Sequence, residues 1–309
     1  MIKLGLSIET FVQGKDGMDI FLRIWDDVLN PKGVVQIFHG MAEHTARYDD
    51  FARFLNEKGY IVYADDHRGH GYSADKNNIL GYVGENGFYN IVEDEKIISE
   101  LIKEKHKNLP LYIFAHSFGS FIGQEYIIRY SKDINGIILS GSAKQNGLDI
   151  KAGNILSNIQ NKFFDNTLEA KLINKLSFGS FNNKVENKRT EFDWLSRDDK
   201  EVDKYIKDEL CGYISPINFY YNLFEGFKGL YKRARLDNVV KTLPILVLSG
   251  DMDPVGKYGK SVKRLYNQYN DLDIQDISLK LYPGGRHELL NEENKEEVYD
   301  YIYNWLKGR

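Results

Sequence analysis

The order of its apolar segments is the feature that most limits how this chain can fold. Short runs typical of buried strands alternate with segments of helical periodicity over the first half of the sequence. The run GVVQIFHG at 33–40 predicts a strand, and apolar residues sharing one helical face follow it over 48–55. Gly59 lies where that helix should end. Such alternation predicts an α/β fold with a mostly parallel sheet covered by helices on both faces.

Similar patterns predict the remaining elements. Turn residues at 14–17 followed by DIFLRIW indicate an opening hairpin. Asn90 and Glu93 have the spacing of a capping box, which predicts that a helix starts at Asn90 and runs to about Lys107. Further strands are predicted from Tyr60, Leu111, Asn135, Leu243 and Ile277, and further helices over 117–130, 259–269 and the C-terminal segment that contains Val298, Ile302 and Trp305.

The alternation is interrupted once, between Ala143 and Leu236. This segment is rich in Asn, Lys and Phe and has helical patches without a clear strand. Because strand and helix patterns return after it, we expect a helical cap at 143–236 inserted into a core formed by 1–142 and 237–309. A second independent domain is the alternative.

The composition limits which cellular compartments and which binding partners are compatible with this chain. The 309 residues carry a net charge of −4 without a long basic run, which does not favour nucleic acid. Cys211 is the single cysteine, so no internal disulfide can form. No signal peptide and no apolar run of about 20 residues is recognisable, and we expect a cytoplasmic protein. Nothing in the sequence indicates its oligomeric state.

A serine between small residues ends the strand that starts at Leu111. Ala115 and Gly119 flank Ser117 at positions −2 and +2, a variant of the G-x-S-x-G nucleophile elbow in its usual strand–turn–helix context. Chemistry in an open parallel sheet gathers at the carboxyl ends of the strands, where this serine would lie. The alternative is that Ser117 only caps the following helix.

A serine nucleophile needs a base, and the base needs a carboxylate that orients it. His287 is the only histidine after Ser117 and follows a predicted strand, so it is the candidate base. Asp251 and Asp253 follow the preceding strand, and we favour Asp253 as the acid because it lies further beyond that strand and precedes Pro254.

The reaction also requires two N–H donors for the oxyanion. Phe118, directly after the nucleophile, would supply one, and Met41 in the loop QIFHGMAEH the other. Histidines 39, 44, 67 and 70 have spacings that suit zinc, but no recognised set of ligands is complete. We therefore expect neither a metal nor a cofactor.

Taken together, these motifs resemble the monoacylglycerol lipase and lysophospholipase group of α/β-hydrolases. The segments that carry the resemblance are HGMAEHTARY, DDHRGHGYS, AHSFGS, FDWLSRD, LCGY, GDMDPVG and YPGGRHELLNE. The resemblance implies an α/β-hydrolase core with a helical cap, and the roles of Ser117, Asp253, His287 and Met41 stated above. Ala115, Phe118 and Ser120 depart from the family's usual elbow.

The resemblance also implies a substrate. It predicts cleavage of the carboxylic ester of a lipid with one acyl chain, with transient contact between the cap and a membrane or micelle surface. Glu43 and Arg47 would contact a glycerol-like head group, or alternatively form a loop salt bridge. The rival functions are a carboxylesterase of other small esters, an aminopeptidase and a non-catalytic binding protein. The resemblance further implies an acyl-chain channel in the cap, which apolar residues of the cap could line. Alternatively, the same residues pack the cap against the core. They are Phe163, Phe164, Leu168, Leu172, Ile173, Leu176, Phe178 and Phe181.

Overall fold

The computed structural model describes residues 7–74 and 79–309. Within these residues, eight strands form one sheet. They are β1 (Ile8–Gln13), β2 (Asp19–Trp25), β3 (Gly33–Phe38), β4 (Tyr60–Asp65), β5 (Leu111–His116), β6 (Gly136–Ser140), β7 (Ile245–Gly250) and β8 (Ile277–Tyr282). Their order is β1-β2-β4-β3-β5-β6-β7-β8. Only the pairs β1–β2 and β2–β4 are antiparallel, so the predicted mostly parallel sheet is confirmed.

Helices cover both faces of the sheet, as predicted. The α-helices are α1 (Asp49–Glu57), α2 (Gly87–Lys105), α3 (Phe118–Tyr130), α4 (Leu148–Phe163), α5 (Lys171–Phe178), α6 (Asp199–Lys207), α7 (Ile217–Leu230), α8 (Arg233–Leu236), α9 (Lys260–Asn270) and α10 (Lys295–Lys307). Buried apolar residues of α1 and α10 form one core with the sheet. Those of α2, α3, α7 and α9 form the other. Both faces of the central strands are therefore buried, which explains their continuous apolar runs.

The predicted start of helix α2 is wrong. The helix begins at Gly87, three residues before Asn90. Asn90 donates a hydrogen bond to the carbonyl of Glu85, and Glu93 accepts one from the hydroxyl of Tyr130. The N–H of Gly87 instead donates to the Asn222 side chain of α7 at 2.7 Å. The acceptor that caps this helix thus lies 135 residues further along the chain, beyond the reach of a local pattern.

The segment between β6 and β7 contributes helices α4–α8 and no strand to the sheet, over a stretch that the structure describes in full. Asn218 and Asn222 of α7 attach it to the core by accepting from the N–H groups of Val83 and Gly87. The cap boundaries, 143–236, stay a prediction. Among the helices of residues 7–74 and 79–309, none is long and apolar enough to cross a bilayer.

Candidate active site

Ser117 occupies a sharp turn between strand β5 and helix α3. Its φ of 50° and ψ of −116° lie outside the helical and extended regions, as expected for a nucleophile elbow. Its N–H donates to the carbonyl of Ser140 at the end of β6, at 2.9 Å. A Cβ atom at Gly119 would collide with the carbonyl oxygens of Phe38 and His39. The glycine therefore allows the elbow to pack directly against the end of β3.

The structure brings Ser117, His287 and Asp253 together in one chain of hydrogen bonds. The Ser117 Oγ lies 2.8 Å from His287 Nε2, and His287 Nδ1 lies 3.0 Å from Asp253 Oδ2. The backbone N–H of Val255 donates to Asp253 Oδ1 at 2.8 Å, and the Ser249 hydroxyl donates to Oδ2 at 3.2 Å. Both oxygens of the buried carboxylate are thus held in place, and the imidazole is oriented with Nε2 towards the serine.

The two candidate acids have different contacts. Asp251 accepts a hydrogen bond from the N–H of Gly284 at 2.8 Å, so it ties the loop after β7 to the loop that carries the histidine. Asp253 contacts the imidazole itself. The loops lie so close that a Cβ atom at Gly250 would collide with the Gly285 carbonyl. Asp251 therefore supports the loop, and Asp253 occupies the position that an orienting acid requires.

The surroundings of His287 favour its protonated form during a reaction. Burial alone lowers the pKa of His287, but the charge and hydrogen bond of Asp253 outweigh it and raise the pKa above the ordinary value of 6.5. A second imidazole, His116, lies with its ring centroid 4.9 Å away. Burial, and then the charge on His287, lower the pKa of His116 to about 4. His116 is therefore neutral near pH 7, and His287 is the group there that takes up a proton.

The peptide that carries the Met41 N–H is fixed by two histidines. The His67 N–H donates to His39 Nε2 at 2.8 Å, so the His39 proton lies on Nδ1, which donates to the Gly40 carbonyl at 2.7 Å. The Gly40 carbonyl and the Met41 N–H belong to one planar peptide unit, so fixing the first also fixes the direction of the second. A Cβ atom at Gly40 would lie 3.3 Å from that of Ser117. The loop is thus held beside the nucleophile.

The other predicted donor is at the start of helix α3. Phe118 is its first residue, where an N–H has no partner within the helix. The described residues offer neither Phe118 nor Met41 an acceptor for its N–H group. Both are therefore available to a substrate, and their assignment to the oxyanion stays a prediction.

Glu43 and Arg47 form a buried salt bridge, the alternative stated from the sequence. Arg47 Nη1 lies 2.7 Å from Glu43 Oε2, and its Nη2 lies 2.6 Å from Glu288 Oε2. The other oxygen of Glu43 accepts from the Gly40 N–H and the Tyr48 hydroxyl. Both carboxylate oxygens of Glu43 therefore already have partners inside the protein. Contact of Glu43 and Arg47 with a substrate stays a prediction.

Glu288 is a member of this network that the sequence patterns did not single out. Burial raises the pKa of Glu288, but Arg47 outweighs it and lowers the pKa to about 2. The charged carboxylate thus belongs to the residue next to His287, and Arg47 joins it to the loop that contains Met41. In the sequence, the only indication that Glu288 belongs to the site is its position directly after His287.

The cap closes over the histidine through residues that sequence reasoning also missed. The Glu288 N–H donates to the carbonyl of Leu195 at 2.8 Å, and the His287 N–H to that of Trp194 at 3.4 Å. The Trp194 ring centroid lies 5.1 Å from that of His287. Trp194 is part of the segment FDWLSRD, whose resemblance to a cap was the sole hint of its position. The cap therefore supplies part of the wall around His287.

The predicted channel residues divide into two groups. Phe178 and Phe181 pack around Trp194, with Phe181 at a centroid distance of 4.9 Å, and Ile173 is buried in the core. For the other five, a channel lining stays a prediction, because their side chains are exposed to solvent. The exposed ones are Phe163, Phe164, Leu168, Leu172 and Leu176.

The four histidines that suggested zinc have partners within the protein. Both ring nitrogens of His39 are used as described above. His67 Nδ1 lies 3.0 Å from Asp65 Oδ2 and 3.1 Å from Glu95 Oε1. Burial lowers the pKa of His67, but Asp65 outweighs it and raises the pKa to about 10. Asp65, His67 and Glu95 lie close enough together to hold a metal ion, and in this structure they pair with one another.

The remaining histidines behave differently from one another. His44 Nε2 pairs with Asp208 at 2.9 Å, close to Cys211. His70 packs its ring parallel to that of Phe118 at a centroid distance of 6.0 Å. These contacts show that the loops containing His44 and His70 are packed against neighbouring side chains. The absence of a metal stays a prediction.

Comparison with known proteins assigns this chain to a family. A family described as "Serine aminopeptidase, S33" matches residues 29–294. A monoacylglycerol lipase of Mycolicibacterium smegmatis is 31% identical over 297 residues, covering 95% of this chain and 94% of the relative. A monoglyceride lipase of Homo sapiens is 27% identical over 303 residues, covering 95% and 88%.

Solved structures share the architecture. A thermostable carboxyl esterase of Bacillus coagulans, solved with glycerol, has a TM-score of 0.89 at 28% identity, covering 98% of this chain and 99% of that one. A monoglyceride lipase of Saccharomyces cerevisiae has a TM-score of 0.76 at 19% identity, covering 99% and 96%, and shows the fold alone. This chain therefore belongs to the serine aminopeptidase, S33 family of α/β-hydrolases and is a relative of the monoacylglycerol lipases.

Proposed function

We propose that this protein is a carboxylic ester hydrolase in which Ser117, His287 and Asp253 form the catalytic triad. The observation that carries the proposal is the continuous set of hydrogen bonds from the Ser117 hydroxyl through the imidazole to the buried carboxylate. A serine that only capped helix α3 would not need a histidine from a distant loop at 2.8 Å. The same bonds weigh against a non-catalytic binding protein.

The reaction follows from the positions of these groups. His287 Nε2 accepts the Ser117 proton as Oγ attacks the ester carbonyl, and Asp253 stabilises the imidazolium that forms. The N–H groups of Met41 and Phe118 would bind the oxyanion of the tetrahedral intermediate. The imidazolium then protonates the leaving alcohol. Water, deprotonated by His287, finally attacks the acyl-enzyme and releases the acid.

We propose a lipid with a single acyl chain as the substrate. Support comes from relatives named monoacylglycerol and monoglyceride lipases, which align over 95% of this chain. The aromatic rings of Phe178, Phe181 and Trp194 add an apolar wall next to His287, suited to an acyl chain. Glycerol, the alcohol released from a monoacylglycerol, is smaller than the head group of a lysophospholipid. A lysophospholipid is the main alternative substrate.

An aminopeptidase is the second candidate because the family description names one. Such an enzyme needs a free carboxylate near the nucleophile to bind the substrate's ammonium group. Among the described residues around His287, Asp253 binds the imidazole, and Glu43 and Glu288 both pair with Arg47. Each of these three carboxylates already has a partner inside the protein, although Arg47 is shared by two of them, and this favours an ester substrate.

Fatty-acid release from a monoacylglycerol and from a lysophosphatidylcholine of equal chain length tests the substrate. We expect faster release from the monoacylglycerol, by at least tenfold in kcat/KM. An aminoacyl-4-nitroanilide serves as the peptidase probe, and we expect no turnover of it. Faster hydrolysis of the anilide than of both lipids would contradict the proposal, and faster hydrolysis of the lysophospholipid would change the head group but not the reaction.

We further propose that the outer face of the cap contacts a lipid surface. Large apolar side chains are exposed along helices α4 and α5 and in the turn between them. They are Leu148, Ile155, Ile159, Phe163, Phe164, Leu168, Leu172 and Leu176. Large apolar side chains exposed on two consecutive helices and the turn between them are typical of an interaction site. Burying it in the surface that holds the substrate would stabilise the bound state by roughly 25 cal/mol per Å².

Replacing Phe163 and Leu172 together with aspartate is expected to weaken binding to phosphatidylcholine vesicles at least tenfold, because each apolar side chain contributes roughly 1.5–3 kcal/mol when fully buried. Hydrolysis of a soluble short-chain ester should stay unchanged. Vesicle sedimentation measures the binding. Leu29, 89% exposed and outside the cap, provides the control Leu29→Asp. Equal binding by the double variant and the control would rule out this face.

A further inference from the structure

A cavity lies between the cap and the loops that carry Asp253 and His287. Its volume is about 200 Å³. The cap lines it with Phe181, Lys184, Val185, Glu186 and Arg197, and the core with Met252, Tyr258, Gly284 and Arg286. Ser117, His287 and Asp253 are not among the lining residues, and the cavity borders the site described above through Phe181 and the histidine loop. We propose that it binds a phosphate group, free or as a phosphate monoester.

The charges around the cavity favour an anion. Three of its lining side chains are cationic, Lys184, Arg197 and Arg286, and one is anionic, Glu186. Glu292, behind the wall, pairs with Arg197 at 2.7 Å. Asp251, also behind the wall, accepts from the Gly284 N–H, so among the described residues Lys184 and Arg286 are the lining cations without an ion pair to a carboxylate. Arginine forks and a lysine ammonium are the groups that proteins use to bind phosphate oxygens.

Contacts within the protein hold each cation in place, and each cation still has N–H groups that can donate to an anion. The Lys184 Nζ lies 3.6 Å from the centroid of the Tyr258 ring, an interaction that uses none of its N–H bonds on an acceptor. Arg286 uses Nη1 on the carbonyls of Asp193 and Ser196, which carry no charge to neutralise it. Little side-chain ordering is then needed when an anion binds.

The third cation is directed towards the same space. Arg197 uses Nε on Glu292 and Nη2 on Asn294. A Cβ atom at Gly284 would lie 3.1 Å from Arg197 Nη1, so this third nitrogen faces the glycine that lines the cavity. Gly284 has a φ of 70°, and its lack of a side chain leaves room between Arg197 and the histidine loop.

A phosphate group here would connect the cap to the loop that carries the base. Lys184 belongs to the cap, whereas Arg286 precedes His287 and binds the cap segment at Asp193 and Ser196. Because the bound state would bridge both parts, phosphate should stabilise the folded protein by mass action. This inference does not depend on the ester substrate.

Calorimetric titration with inorganic phosphate, at constant ionic strength set by sodium chloride, tests the site. We expect saturable binding in the millimolar range and a rise of roughly 2–5 °C in Tm at saturation. Lys184→Ala should weaken binding about tenfold, since it removes a charge-assisted hydrogen bond. Lys188, an exposed lysine of the same cap loop that does not line the cavity, provides the control Lys188→Ala, expected to bind like the wild type.

The source of the phosphate follows from a second titration. Tighter binding of glycerol 3-phosphate than of inorganic phosphate would identify a phosphate monoester, and the reverse would identify free phosphate. Absence of saturable binding, equal loss in Lys184→Ala and Lys188→Ala, or equally tight binding of acetate would overturn the proposal. Ester hydrolysis by Lys184→Ala in phosphate-free buffer should match the wild type, so failure of this site leaves the proposed function intact.

Discussion

Replacement of Ser117 with alanine is expected to lower kcat for ester hydrolysis by a factor on the order of 10⁶, the loss found for the same substitution in a protease with this triad. The reason is direct: the hydroxyl 2.8 Å from His287 Nε2 is the only group of the protein that forms a bond to the acyl carbon in the proposed reaction. A single-turnover assay should also show no burst of alcohol, because no acyl-enzyme can form.

A fluorophosphonate probe provides the second measurement. It should label the wild type with one equivalent and leave Ser117→Ala unlabelled, while the far-ultraviolet circular dichroism of both proteins stays the same. Ser131, a buried serine at the far end of helix α3, offers the control Ser131→Ala, which should retain both activity and labelling. Labelling of Ser117→Ala at the wild-type rate would show that the nucleophile lies elsewhere.

Replacement of Asp253 with asparagine is expected to lower kcat by about 10⁴. The carboxylate accepts the His287 Nδ1 proton at 3.0 Å and so keeps Nε2 free to receive the serine proton. An asparagine amide can donate to Nδ1 instead. The proton then lies on Nε2, and the imidazole cannot act as a base towards Ser117. Steady-state hydrolysis of a soluble ester measures this loss.

The pH dependence distinguishes an orienting carboxylate from one that only stabilises the loop. Neutral His287 is the active form, so kcat/KM of the wild type should fall as the pH decreases through the pKa of His287, which lies above 6.5. Asp253 is the main group that raises this pKa. The acid limb of the residual activity of Asp253→Asn should therefore move to lower pH.

Asp251 gives a matched control for this substitution. Asp251→Asn keeps an acceptor for the Gly284 N–H, and the carboxylate does not contact the imidazole, so activity should stay within about tenfold of the wild type with an unchanged acid limb. A larger loss in Asp251→Asn than in Asp253→Asn would exchange the roles of the two aspartates.

The sheet and the elbow were predictable because their signals are local. The buried runs at β3, β4, β5, β6 and β7 alternate with helical periodicity, and this order alone favours a parallel sheet. Chain order then pointed to His287 as base. Whether Asp251 or Asp253 lies beside it depends on how two loops pack, and the sequence offered only the turn chemistry of Pro254 as a guide.

The remaining features depend on pairs of residues that are far apart in the chain. Glu288 is significant because Arg47, 241 residues earlier, binds it. Trp194 is significant because its cap segment lies across the histidine loop. The true start of α2 depends on Asn222. For the apolar residues of the cap, periodicity alone cannot distinguish side chains that line a channel from side chains that pack the cap against the core.

The backbone of Ser117 has a consequence for the stability of the whole molecule. A residue with a side chain at a φ of 50° and a ψ of −116° costs roughly 1–3 kcal/mol relative to a relaxed conformation. The net free energy of unfolding of a domain is only about 5–15 kcal/mol, so this strain is a sizeable share of it. Packing elsewhere, in the sheet and in helix α3, must offset that strain before any substrate is bound. In a related protein in which Ser117 had no role in a reaction, glycine at this position would relieve the strain and raise the free energy of unfolding. Selection for folding alone would then favour loss of the serine.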